Sequence, residues 1–325
     1  MLREIFARNP NIIINNDIDG FLSGMILQHY LGCEVVGFSN SNDKVWVTPE
    51  VQSIYDPVYI DMYVNKREVV CIDQHVVADN QERFNRILAY GTKFNPNLQL
   101  APRTLANNYT KKYPFGTVHY LMHLMGNENI DVEFRDLRET VHINIGGADY
   151  RTYPGQVLMR ADDALYNTFR AYQDNSEEWW TRLNTSDAVQ RIVDYKNSCN
   201  RDQIINYENH IGNLFIALGC RQNNLRTKTA AGVTTDSDGS FPVITVNNVP
   251  GVPSPIRPEI LVYVRKISEI MGIDMHIPNT YILHKAQIAD RSRPDVLIDR
   301  DDLFSYAFVA GPNSDECFSY TINMI

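Results

Sequence analysis

Short, wholly apolar runs punctuate the first part of the chain, and each one ends in carboxylates. Ile12-Ile13-Ile14 leads into Asn15, Asp17, Asp19 and Gly20; Val58-Tyr59-Ile60 leads into Asp61; Val69-Val70-Cys71-Ile72 leads into Asp73-Gln74-His75. A helix-like stretch from Phe21 to Leu31 and a short strand, Glu34 to Phe38, fall between the first two. Runs of this length alternating with helical stretches predict parallel strands covered on both faces. In such sheets ligands bind beyond the carboxyl ends of the strands, which is where these aspartates fall. An extended chain sends alternate side chains to one side, so Asn15, Asp17 and Asp19 are expected to converge, with Gly20 permitting a tight turn into the helix. Carboxylates held close repel unless a cation lies between them, and hard divalent ions take oxygen ligands.

Further along, Phe115 to Met125 predicts a helix stopped by Gly126, and Val132 to Ile143 continues helically. Gly146-Gly147-Ala148-Asp149 places another aspartate in a turn, and Ala161 to Gln173 is a further helix. Asn184-Thr185-Ser186-Asp187 supplies capping residues for a long polar helix running to about Asn209. With no Pro/Gly-rich linker, that helix is expected to join two domains: a metal-binding α/β domain over 1–185, the helix over 186–209, and a substrate-binding α+β domain over 210–325. In the last part Leu214 to Leu218, Val243 to Val246, Ser305 to Val309 and Phe318 to Asn323 predict strands. Asn223 to Ser240 predicts a loop or hairpin, and Pro258 to Met271 an amphipathic helix.

Composition narrows the partners. A net charge of −9 over 325 residues argues against a protein that coats long duplex by counterion release. It leaves open short or single-stranded phosphate substrates, because bound metal changes the local field. No apolar stretch reaches the length of a membrane span, and Ile12 to Ile14 is too short for a signal-peptide core, so a cytoplasmic location is expected. The five cysteines are scattered and odd in number, against a zinc knuckle or disulfide framework, and Cys71 reads as a small buried hydrophobe. His119 and His123 stand i, i+4, but packing or a substrate-side role is preferred to a metal site because no carboxylate lies between them. Arg291 and Arg293, with Arg300, offer a phosphate grip, set against a self-paired surface with five nearby aspartates. Tyr306 and Tyr320 offer base stacking beside ordinary packing.

With its aspartates set against their strands, the chain resembles the DHH phosphoesterase superfamily. Asn15-Asn16-Asp17-Ile18-Asp19-Gly20 is similar to the RecJ-like first motif, Asp61 to the lone aspartate of the second, Asp73-Gln74-His75 to the Asp-His-His triplet, and Asp149 to the fourth motif's aspartate. The resemblance implies a parallel α/β domain, a linking helix and a smaller second domain. It also implies two Mn²⁺ or Mg²⁺ ions, bridged by Asp61, with Asp17 on one and Asp19 and Asp149 on the other. His75 would contact the scissile phosphate, and Asp73 would orient its neighbours. Asn15 and Gln74 depart from the pattern, standing where the family has an acidic residue and a ligating histidine; each keeps an oxygen able to reach an ion. The implied activity is hydrolysis of short single-stranded nucleic acid or nucleotide phosphodiesters. The alternatives are a nucleotide- or protein-binding relative without catalysis and, more weakly, a pyrophosphatase, whose motif histidine four residues before Asp17 is Ile13 here.

Overall fold

Ile12, Ile13 and Ile14 are fully buried because β1 (Asn11–Asn15) runs through the interior of a sheet covered on both faces. Ile12 and Ile14 enter the larger core and Ile13 the one opposite, as the two-residue period of a strand requires. This is a computed structural model, and it describes residues 1–161, 177–183, 186–222, 227–229, 232–234, 237–288, 303–308 and 319–324.

In chain order, α1 (Leu2–Arg8) precedes β1 and α2 (Ile18–Leu31) follows it. Next come β2 (Glu34–Ser39), β3 (Lys44–Val47), β4 (Val58–Ile60), β5 (Cys71–Ile72), α3 (Gln81–Leu88), β6 (Lys93–Phe94), α4 (Pro96–Gln99) and α5 (Thr117–Gly126). The hairpin β7 (Val141–Ile145) and β8 (Ala148–Thr152) leads to α6 (Pro154–Arg160), α7 (Asp187–Asn197) and α8 (Arg201–Ala217). A small hairpin, β9 (Thr227–Thr229) and β10 (Gly232–Thr234), precedes β11 (Pro253–Pro255), α9 (Pro258–Met271), β12 (Thr280–Ile288), β13 (Leu303–Ala307) and β14 (Ser319–Met324).

Ten strands make one sheet, ordered β13-β14-β12-β3-β2-β1-β4-β5-β6 with β11 on β12. It is parallel from β2 through β1, β4 and β5 to β6, and antiparallel where β3, β12, β14 and β13 extend it. The α/β class is therefore as predicted, with the parallel part at the aspartate-bearing strands. The sheet includes strands from both sides of residue 210. Its last strands also fold back on the loops beyond β4 and β5. Ser305 bridges Val64, Phe308 bridges Val76, the Asn65 N–H donates to the Phe304 carbonyl at 2.7 Å, and the Tyr306 hydroxyl donates to the Val77 carbonyl at 2.8 Å. Among the described residues no helix is long and apolar enough to cross a membrane.

Several elements differ from the sequence reading, each for a local reason. Helix α2 starts at Ile18, with Asp17 as its N-cap, so the chain leaves the strand before Asp17 and Asp19 can alternate as extended residues. Gly20 is inside the helix. Its role is close approach: a Cβ there would lie 2.1 Å from the Asn15 carbonyl oxygen. Val132 to Ile143 is not helical; residues 130–140 carry neither helix nor strand, and Val141 to Ile145 is a strand with alternating burial. Gly146 and Gly147 both take positive φ, +57° and +87°, the backbone that a two-residue hairpin turn needs. Asp149 follows that turn, in β8 opposite Asn144. The expected long helix is two: Ser186 caps α7 as predicted, but Asn200 and Gln203 form a fresh capping box that starts α8. Leu214 to Leu218 lies in and just beyond α8, the apolar side of a helix read as a strand. Val243 to Val246 makes only the isolated bridge Thr245–Ile256. The helix expected from Ala161 to Gln173 falls almost wholly outside the described residues.

Candidate metal centre

Strand register builds the site. Ile14 pairs with Ile60, Ile60 with Ile72, and Ile72 with Phe94. The next residue on each chain is therefore carried to one line beyond the sheet: Asn15, Asp61, Asp73 and Asn95. All four are buried. Ligand atoms of Asp61, Asp73 and His75 lie within 4.8 Å of one another, a grouping able to hold a metal ion.

Asp61 is held on every side. Its φ of +62° lies in the left-handed region, sparsely used by residues with a Cβ, and its N–H still bonds the Ile72 carbonyl at 2.8 Å. One carboxylate oxygen accepts from the Thr117 hydroxyl at 2.8 Å, the other from the Asn15 amide at 3.1 Å. The same Asn15 Nδ2 donates to Asp17 at 2.6 Å, while Asn15 Oδ1 accepts from the Asn16 N–H at 3.0 Å. Asn15 therefore turns its nitrogen, not its oxygen, to the two carboxylates.

Asp73 orients His75. His75 Nδ1 lies 2.7 Å from Asp73 Oδ1, and the His75 N–H donates to Asp73 Oδ2 at 3.2 Å. Asn95 donates to the His75 carbonyl at 2.7 Å and to Asp73 Oδ2 at 3.4 Å. The Gln74 side-chain nitrogen is 3.4 Å from His75 Nε2, and the Gln74 backbone carbonyl accepts from Asn97 Nδ2 at 2.7 Å.

Asp19 is committed elsewhere in the same region. Both its oxygens accept N–H groups at the start of α5, from Thr117 at 2.6 Å and Val118 at 2.9 Å. Gly116 occupies the N-cap without a side chain to offer, so a carboxylate from α2 does the capping. A Cβ on Gly116 would lie 2.8 Å from the Asp19 carboxylate, so glycine is what lets the two helices meet.

The charges are poorly solvated. Burial, then Asp61 and Asp238, raise Asp17 well above the usual carboxylate range, against the Gly20 N–H and His75. Burial and Asp19 do the same to Asp61, with His75 and the Thr117 hydrogen bond opposing and Asp73 adding. At His75 burial disfavours the charge, but Asp73 and Asp61 outweigh it and raise the imidazole to about 9. The sequence reading missed three residues of this region. Asn95 follows a strand of only two residues, Thr117 is an ordinary helix start, and Asp238 comes from a distant loop whose carbonyl accepts the Ile18 N–H at 3.0 Å.

The remaining candidates fall apart from this cluster or outside the description. Asp149 is on the surface hairpin, its carboxylate 3.0 Å from His142 Nδ1 and held low by that contact. Arg291 and Arg293 lie outside the described residues, as do Arg300 and its neighbouring aspartates. Tyr306 is buried against Tyr63, so packing accounts for it. His119 is fully buried, and neither ring nitrogen finds a hydrogen-bond partner among the described residues.

Burial lowers His119 to about 4, against the nearby Gly116 and Leu158 carbonyls, which lower the effect without closing good bonds. A neutral buried histidine stabilises fully above its unfolded pKa near 6.5 and loses that contribution as pH falls toward 4, a loss of roughly 3 kcal/mol. Chemical denaturation from pH 7 to 4 should show this slope, and His119→Leu should flatten it. Asp17 and Asp61, with raised values, work in the opposite direction at low pH, so the difference between the two proteins is the quantity to read.

Comparison with protein-family models, with curated proteins and with solved structures finds no match.

Proposed function

We propose that the chain is a metal-dependent phosphoesterase of the DHH type, acting on short single-stranded nucleic acid or nucleotide phosphodiesters. The observation that carries this reading is the register-aligned grouping of Asp61, Asp73 and His75 at the carboxyl ends of two parallel strands. The donor set fits Mn²⁺ or Mg²⁺: two buried carboxylates and an imidazole, with Asp17 adjoining through Asn15. Asp61, Asp73 and His75 would hold the ion, so His75 is assigned to it in place of the phosphate contact that the family resemblance implies. When bound, such an ion supplies Lewis-acid polarisation and a water of lowered pKa.

The chain's own residues set the geometry. Thr117 and Asn15 fix the two oxygens of Asp61, and Asn95 fixes Asp73 and the His75 backbone. Asp73 holds Nδ1 of His75, which leaves Nε2, 3.4 Å from the Gln74 side-chain nitrogen, as the ring atom to meet an ion. Because the imidazole must lose its proton to ligate, ion affinity should weaken as pH falls.

The test is hydrolysis of a chromogenic phosphodiester and of a short oligonucleotide with Mn²⁺ or Mg²⁺, alongside calorimetric ion binding. Ion-dependent turnover supports the reading; absence of turnover with any divalent ion sinks it. A second reading, a nucleotide- or protein-binding relative without catalysis, is favoured by one observation. The Asn15 amide already bridges Asp17 and Asp61, partly doing a cation's work. Ion binding without turnover would select it.

A further inference from the structure

We infer that a pocket of about 260 Å³ between residues 132–138 and helix α7 binds a free apolar α-amino acid, its two charges at the rim and its side chain on the floor. None of the residues that line this pocket belongs to the metal cluster, so the inference does not depend on the phosphoesterase reading.

The floor comes from an anchored loop and one helix face. The Arg135 N–H donates to the Met271 carbonyl at the end of α9 at 2.8 Å, and the Leu137 carbonyl accepts the Gly155 N–H at 3.2 Å. Tied down at these points, the loop sends Val132 and Leu137 into the core. Ala188 and Ile192, four apart on α7, meet them there, and all four side chains are buried.

The rim carries charges of both signs. Asp136 Oδ1 accepts the Arg138 N–H at 2.9 Å, and Arg138 Nη2 lies 3.5 Å from the Asp194 backbone carbonyl, with its guanidinium 6.0 Å from the centre of the Tyr195 ring. Asp194 Oδ1 accepts from the Gln190 amide at 2.8 Å. Among the described residues Arg138, Asp136 and Asp194 form no ion pair, with one another or elsewhere. The other two arginines of the pocket do: Arg135 with Glu139 at 2.7 Å, and Arg191 with both oxygens of Asp131 at 2.9 and 3.2 Å. A simple anion would meet the two aspartates, and a simple cation would meet Arg138. A ligand with both charges on one carbon answers all three, and the guanidinium fork suits its carboxylate. The volume is below the usual range for drug-sized ligands, which suits a single amino acid.

The experiment titrates leucine calorimetrically into the full chain, beside isocaproate, isoamylamine and glycine, which lack the ammonium, the carboxylate and the side chain in turn. Leucine should bind saturably and each of the others about tenfold or more weakly, since each loses a charge-assisted contact or the burial of an apolar group. Arg138→Gln should weaken leucine about tenfold and leave isoamylamine within about threefold. The double variant Asp136→Asn with Asp194→Asn, which keeps both hydrogen-bond acceptors, should weaken leucine similarly and leave isocaproate no weaker. No saturable leucine binding overturns the proposal, as does isocaproate or isoamylamine binding as tightly as leucine. Unchanged leucine affinity in folded Arg138→Gln overturns it too; should either variant fail to fold, the ligand series on the unaltered protein decides.

Discussion

Asp61→Asn should abolish divalent-ion binding and the hydrolysis that depends on it, yet raise the melting temperature of the metal-free chain. Asp61 is 2% exposed and sits among Asp19 and Asp73, so its charged form is disfavoured by burial and by repulsion. A carboxyl whose folded pKa is raised contributes fully below its unfolded value and loses that contribution as pH rises through the folded value. At neutral pH the ionised group is therefore a net cost, which asparagine removes. Asparagine also tolerates the left-handed backbone at this position and can still accept from Thr117. Its new N–H₂ must face the Asn15 amide, which limits the gain to about 1–2 kcal/mol, or roughly 2–4 °C. Loss of a metal ligand removes several kcal/mol of transition-state stabilisation, on the order of 10³-fold in rate. Calorimetry with a chelator, and then with Mn²⁺, reads both effects. A variant that binds Mn²⁺ as tightly as the parent would remove Asp61 from the site.

Gly20→Ala should cost more than about 3 kcal/mol, beyond the usual range for a small overpacking change. The added methyl would lie 2.1 Å from the Asn15 carbonyl oxygen and 2.7 Å from that residue's carbonyl carbon and nitrogen. All three are backbone atoms of β1, so no side-chain rotation relieves the clash. Helix α2 has to move off the strand, carrying Asp17 and Asp19 with it. Gly24, one turn later, is the control: there a Cβ meets Ile14 and Met275 side-chain atoms at 3.1–3.2 Å. Flexible contacts can yield, and the better helix propensity of alanine offsets about 1 kcal/mol. Gly24→Ala should thus be near neutral in thermal denaturation, while Gly20→Ala also loses ion affinity. Similar melting temperatures for the two variants would contradict the close-approach argument.

The parallel strands were readable because burial on both faces demands uninterrupted apolar runs, and Ile12 to Ile14, Val58 to Ile60 and Cys71-Ile72 supply them. The placement of Asp61 and Asp73 beyond those strands followed from the same pattern. Helix α9 was equally plain, from Pro258 at its start to Gly272 at its left-handed end. What could not be read was pairing at a distance. Strand β12 alternates in composition too weakly to stand out, and it gains its place by pairing with β3. Asn95 hides behind the two-residue strand β6, and Asp19 reads as a motif aspartate until α5 is seen to begin against it. The β7–β8 hairpin was legible in principle: Val141 to Ile145 alternates and Gly146-Gly147 is a strong turn signal. Reading the preceding charged residues as helical masked it.

The return of β13 over the loops beyond β4 and β5 also sets an order of events during synthesis. The Val77 carbonyl waits 229 residues for the Tyr306 hydroxyl that will meet it. At cellular elongation rates that interval is about 10–50 s. Throughout it, the loops carrying on from Asp61 and His75 lack the strand that finally pins them. The carboxylates are thus made early and enclosed late, and the nascent chain passes through a stage in which its most repulsive cluster is its least supported one.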